Sequence, residues 1–125
     1  MLNRTILMGR LTRAPELRST PGGASVCSFT LAVDRKYVAK GEERQTDFIS
    51  CVAWRNTAEF ISKYFTKGQL MAVEGSLETR SWEDNDGKKH KAMDVVVSDV
   101  SFAGDKGRSE DQEHTIDAVM LDLPF

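Results

Sequence analysis

In the strand-like stretches from residue 25 onward, apolar residues recur at every second position, and over residues 56–65 that period gives way to a helical one. A period of two puts successive side chains on opposite faces of a β-strand, whereas a period near 3.6 belongs to a helix. One helix among strands is therefore the strongest constraint on the fold. Residues 2–11 alternate loosely, and Pro15, Pro21, Gly22 and Gly23 then punctuate a loop holding Arg13 and Arg18. In residues 25–33 the pattern puts Cys27, Phe29, Leu31 and Val33 on one face, with Ser28 and Thr30 on the other. A charged turn around Gly41, with Tyr37 in it, leads to a third strand at 46–54. There Phe48, Ser50, Val52 and Trp54 share one face, opposite Ile49, Cys51 and Ala53.

The break in period predicts a helix capped by Asn56 or Thr57 and stopped at Gly68, with Thr57, Ile61, Tyr64 and Phe65 on one side. Phe60, Tyr64 and Phe65 are assigned to the core. Strand patterning resumes at Gln69, is interrupted at Gly75, and continues as two long strands around Asp86-Gly87, a strong hairpin signal. Three strands, a short helix and two long strands forming a projecting hairpin predict an all-β domain over residues 1–103, a five-stranded antiparallel OB barrel. That fold often binds oligonucleotides, but fold alone does not assign a function.

Charge divides the chain. Residues 1–103 carry 15 Lys and Arg against 13 Asp and Glu, while residues 104–125 carry 2 against 6. A mildly basic body with an acidic end suits a polyanion as partner of the body. Residues 104–114 contain no large apolar side chain, so this stretch is expected to be disordered. Beyond it Ile116, Val119, Met120, Leu121, Leu123 and Phe125 return, with Asp117 and Asp122 among them. An apolar, acidic tip of Asp117, Asp122, Leu123, Pro124 and Phe125 on a flexible leash has the chemistry of a docking peptide.

Cys27 and Cys51 lie in apolar strands without CxxC spacing, which predicts a buried, reduced pair and a cytoplasmic location. Arg4 interrupts the N-terminal apolar run, so neither a signal peptide nor a membrane span is expected. Catalysis finds no support. The two histidines, His90 and His114, form no cluster at metal spacing, and there is no phosphate loop or nucleophile elbow. No metal, no cofactor and no enzymatic activity are expected.

Binding is better supported. Trp82 sits beside a polar turn, Phe48 and Trp54 share a strand face with Ser50, and Tyr37 lies between Lys36 and Lys40. Arg4, Arg10, Arg18, Arg35, Arg44, Arg55, Lys67, Arg80, Lys88 and Lys89 are interleaved with these rings. Exposed aromatics stack on bases while basic groups follow phosphates. For Phe48 and Trp54 core packing is an equal alternative at this level.

The chain resembles the single-stranded DNA-binding proteins of bacteria and phage along nearly its whole length. The resemblance is carried by Met1-Leu2-Asn3-Arg4 through Gly9-Arg10-Leu11, Ala14-Pro15-Glu16-Leu17-Arg18, Phe29-Thr30-Leu31-Ala32-Val33, Asp47-Phe48-Ile49, Lys67-Gly68, Glu74-Gly75, Thr79-Arg80-Ser81-Trp82 and the terminal Asp122-Leu123-Pro124-Phe125. It implies an OB barrel, a homotetramer, and sequence-independent binding of single-stranded DNA in replication, recombination and repair. Enzymes of those processes would be recruited through the tip. It further implies base stacking on Phe48, Trp54 and Trp82, with Tyr37 a looser match, and phosphate contacts at Arg4, Arg18, Lys67 and Arg80. Ser50 and Asn56 stand where relatives often carry a basic residue, and Ala118-Val119-Met120-Leu121 stands where the family tip usually has aspartates. The rivals are an OB module for RNA and a primosome-type adaptor whose aromatics bind protein. The resemblance fits a chromosomal, phage or plasmid origin alike.

Overall fold

The computed structural model describes residues 1–104. The expected disorder beyond them and the docking tip at Asp117, Asp122, Leu123, Pro124 and Phe125 lie outside the described residues. Six strands and one helix run in the order β1 (Thr5–Leu11), β2 (Glu16–Ser19), β3 (Ser25–Asp34), β4 (Thr46–Trp54), α1 (Arg55–Tyr64), β5 (Leu70–Glu83) and β6 (Lys89–Phe102). In the sheet they are ordered β1-β5-β6-β4-β3-β2, and a further pairing of β1 with β3 closes β1, β5, β6, β4 and β3 into a barrel. This is the expected five-stranded OB barrel, with β2 added along β3.

Two features differ from the sequence expectation. The proline- and glycine-rich loop contains β2, whose four residues are all exposed and which pairs antiparallel with β3 from Glu16↔Ser28 to Ser19↔Ser25. Lacking a buried face, it carries no alternation; its order comes from hydrogen bonds to the edge of β3. The sheet is also not wholly antiparallel. β4 and β6 run parallel over Cys51↔Val95, Val52↔Val96 and Ala53↔Val97, and this pairing is part of the barrel's closure.

Alternation decides what enters the core. Cys27, Phe29 and Leu31 of β3, Cys51 and Ala53 of β4, Met71 and Val73 of β5, and Val95 and Val97 of β6 are all buried. α1 covers one end of the barrel with Ala58 and Ile61, joined by Phe65 just past its C-terminus, and all three are also buried. Each Val, Leu, Ile, Phe or Met among them contributes about 1.5–3 kcal/mol when fully buried, and the smaller alanines and cysteines less. The core assignment of Phe60 and Tyr64 is corrected: they are 38% and 47% exposed. The stripe through Ala58, Ile61 and Phe65 enters the core, while the Phe60 ring packs at the margin of the barrel, 6.1 Å from the Phe102 ring of β6, and Tyr64 lies farther out against Phe60. The helix begins at Arg55, not at Asn56 or Thr57, and no side chain among the described residues caps it. Arg55 turns the chain out of β4 with φ at +56°, a conformation that costs a non-glycine residue about 1–2 kcal/mol.

The curvature of β5 and β6 comes from an irregularity at Glu74/Gly75, where the β6 partner steps from Asp99 to Val97. The extra residue, Ser98, donates its hydroxyl to the Glu74 carbonyl at 3.0 Å. A Cβ on Gly75 would run into the Val96 carbonyl and lie 2.8 Å from the Val96 carbonyl carbon. Only glycine fits this crossing. No helix among the described residues is long and apolar enough to cross a membrane.

Candidate nucleic-acid interface

Three of the four predicted aromatics share the outward parity of the sheet. On β4, Phe48 is 69% and Trp54 43% exposed, while Cys51 and Ala53 point inward, so the choice left open by sequence resolves towards exposure. Residues paired across neighbouring strands point to the same face. Val52 pairs with Val96, and Val96 with Ser76; along the same two strands Ala92 faces Arg80 and His90 faces Trp82. Counting in steps of two therefore carries the face of Phe48 and Trp54 onto the hairpin that bears Arg80 and Trp82. Tyr37, 84% exposed, lies in the loop beyond Phe48, with the Lys36 ammonium 5.9 Å from its ring centre. An Arg35–Asp47 ion pair at 3.0 Å fixes the root of that loop. The same bond holds the Asp47 carboxyl below its ordinary range.

The register also brings basic residues beside these rings. Arg18 pairs with Val26, and Val26 with Trp54, which forms one row across the sheet. On the far side of Trp54 is Ser98, the residue after the Ala53 partner Val97, and the Arg4 guanidinium reaches the Ser98 hydroxyl at 3.5 Å. A second row runs from Arg10 through Ala32 to Phe48. Arg10 donates to the Gly68 carbonyl at 3.1 Å, which sets the exposed Lys67 turn next to that row. Arg10 is among the interleaved basic residues of the sequence but was given no phosphate contact, because its place depends on which residue of β3 it faces.

The cations are not equivalent. Arg4, Arg10 and Lys67 make no ion pair among the described residues, whereas Arg18 binds Glu16 at 2.6 Å and Arg80 binds Asp94 at 2.6 Å. The Arg18 hydrogen bond, reinforced by its charge, lowers the pKa of Glu16. On the hairpin the Arg80 guanidinium carbon lies 4.8 Å from the Trp82 ring centre. His90 stacks on the same ring at 5.4 Å, with 20° between the planes. His90 Nε2 in turn lies 2.7 Å from Asp84 Oδ2, and this contact first, then the Lys88 and Asp86 amides, lowers the Asp84 pKa. Gly87 completes that turn at φ +80°, the left-handed conformation expected at a hairpin glycine.

Among the described residues no three His, Cys, Asp or Glu side chains are grouped to hold a metal ion. Cys27 and Cys51 are buried free thiols on adjacent strands, offset in register. Burial pushes their pKa values up to about 11 and about 12, so both remain neutral near pH 7. What the surface offers is a set of exposed rings with guanidinium groups beside them, laid across one face of a barrel.

The model of the single-strand binding protein family matches residues 2–103, and the chain belongs to that family. It is 45% identical over 109 residues to single-stranded DNA-binding protein 2 of Listeria monocytogenes, a match covering 87% of this chain and 68% of that protein. The single-stranded DNA-binding protein of Halalkalibacterium halodurans is 44% identical, over 94% of this chain and 70% of that protein. The corresponding protein of Caldanaerobacter subterraneus is 44% identical over 94% and 81%. Among solved structures, a Plasmodium falciparum SSB complex with ssDNA superposes with a TM-score of 0.75 at 29% identity, covering 83% of this chain and 96% of that one.

Proposed function

We propose that the protein binds single-stranded DNA without sequence preference, coats it during replication, recombination and repair, and is not an enzyme. One observation carries the reading: Phe48, Trp54 and Trp82 stand exposed on one continuous sheet face, with Arg10 and Arg18 aligned beside the first two by strand register. A single strand offers unpaired base faces at intervals, and aromatic platforms take bases of any identity because every base has a π-face. Tyr37 extends the platform beyond Phe48. Arg4, Arg10, Lys67 and, in part, Arg18 supply positive charge for the intervening phosphates. Duplex DNA hides its base faces and gains nothing from the rings.

The protein acts as a homotetramer in the bacterial cytoplasm or nucleoid. Ile6 and Met8 of β1 are 72% and 56% exposed, and an uncovered apolar strand is a surface suited to a second copy. The tip at Asp117, Asp122, Leu123, Pro124 and Phe125 recruits replication, recombination and repair proteins.

The test is a titration of the protein with oligo(dT), a duplex and RNA of equal length. The expected result is strong binding to oligo(dT), quenched tryptophan emission, and a log K that falls with log salt by about 0.7 for each phosphate neutralised. Preference for RNA, or a flat salt response, refutes the reading. Light scattering at the mass of one 14.0 kDa chain refutes the tetramer.

A further inference from the structure

Asp94 is an odd residue to find on a face that meets a polyanion. It precedes Val95, where β6 runs beside β4, so it sits between the hairpin platform and the strand bearing Phe48 and Trp54. Its side chain is only 13% exposed, against 55% for its partner Arg80. Oδ2 accepts the Arg80 Nε–H at 2.6 Å, while Oδ1 is buried with no hydrogen-bond partner among the described residues. Arg80 thus compensates a carboxylate that has lost its water, and it cannot leave for a phosphate without stranding that charge. The same bond fixes the guanidinium over the Trp82 ring, where a cation is attracted to the π-face. Arg80 can still offer its terminal N–H groups outward. The pair as a whole nevertheless carries no net charge and displaces no counterion.

We infer that Asp94 is a positioning residue for single-stranded DNA binding, holding Arg80 against Trp82 and cancelling its charge, so that Arg80 builds the stacking platform instead of neutralising a phosphate. The inference rests on the single-stranded DNA reading and revises the phosphate role expected for Arg80. It gives the hairpin a platform whose contribution persists as salt rises, beside the salt-sensitive contacts of Arg4, Arg10 and Lys67.

The experiment compares wild type, Arg80→Ala, Asp94→Asn and the double variant, each as the full chain. Oligo(dT) affinity is followed from about 50 to about 200 mM salt. Arg80→Ala should weaken binding at every salt concentration and leave the slope of log K against log salt within about 0.3 of wild type, less than half the value for one phosphate. Asp94→Asn, which frees the guanidinium, should steepen the slope by about 0.7, an extra loss of about 2.6-fold over that range, and adding Arg80→Ala should cancel this gain. A slope flattened by about 0.7 in Arg80→Ala, or unchanged in a folded Asp94→Asn, overturns the inference. If Asp94→Asn does not fold, the Arg80→Ala slope decides alone. Failure of wild type itself to bind oligo(dT) would instead refute the underlying reading.

Discussion

Replacing Phe48 and Trp54 by alanine, singly and together, tests the geometry of the stacking face. Both belong to β4, six positions apart on the same side. At about 3.3 Å per residue they are separated by about 20 Å, so no one base touches both. Loss of one base–aromatic stack costs about 1–3 kcal/mol, or about 5- to 150-fold in affinity. Sites so far apart should act additively within about 0.5 kcal/mol, which puts the double variant at about 2–6 kcal/mol. Folding should be little affected by Phe48→Ala, since that ring is 69% exposed and exposed substitutions usually stay within about 0.5 kcal/mol. The assay is fluorescence anisotropy of labelled oligo(dT) at fixed salt, with urea unfolding of each variant as control. Single variants that both bind like wild type, or a double variant no weaker than the weaker single, would refute the reasoning.

Two further outcomes probe the barrel. Gly75→Ala would force a Cβ against the backbone of Val96 and to 3.0 Å from the Val97 Cα. Backbone cannot yield as a side chain can, so a loss of about 3 kcal/mol or more in urea unfolding is expected, and a neutral result would refute the account of the β5–β6 crossing. The buried thiols predict alkaline weakening. With folded pKa values raised by desolvation from 9.0 to about 11 for Cys27 and about 12 for Cys51, their contribution is whole below pH 9 and fades as pH rises through those folded values, because only the unfolded chain releases the protons. Unfolding midpoints should therefore fall between pH 9 and pH 11 in wild type, and less in a Cys27→Ala/Cys51→Ala variant that remains folded; parallel curves would refute the linkage.

Alternation in β3 and β4 was legible because each strand has one face in the core and one outside; Cys27, Phe29, Leu31, Cys51 and Ala53 all lie where the period puts them. The helix was legible as an element but not in its facing. Spacing groups Tyr64 with Ile61 and Phe65, yet the shape of the barrel end decides that Ala58 is covered and Tyr64 is not. β2 left no trace, since a strand exposed at every residue has no apolar rhythm to read. The candidate site divides along the same line. Trp82 could be picked out from its setting beside a polar turn, and parity put Phe48 and Trp54 on one face without deciding whether that face lay inside or outside. Arg10 beside Phe48, His90 on Trp82 and Asp94 under Arg80 could not be picked out. Each gains its meaning from a partner 8 to 38 positions away, reached through strand register. Register is set by the turns and by the step at Glu74/Gly75, and shifting it by one residue would turn Trp82 and Arg80 to the opposite face of the hairpin. The rings are thus written locally and their charged neighbours are assigned by the barrel, which is why the Arg80 partner of the Asp94 carboxylate shows only after β5 and β6 are paired.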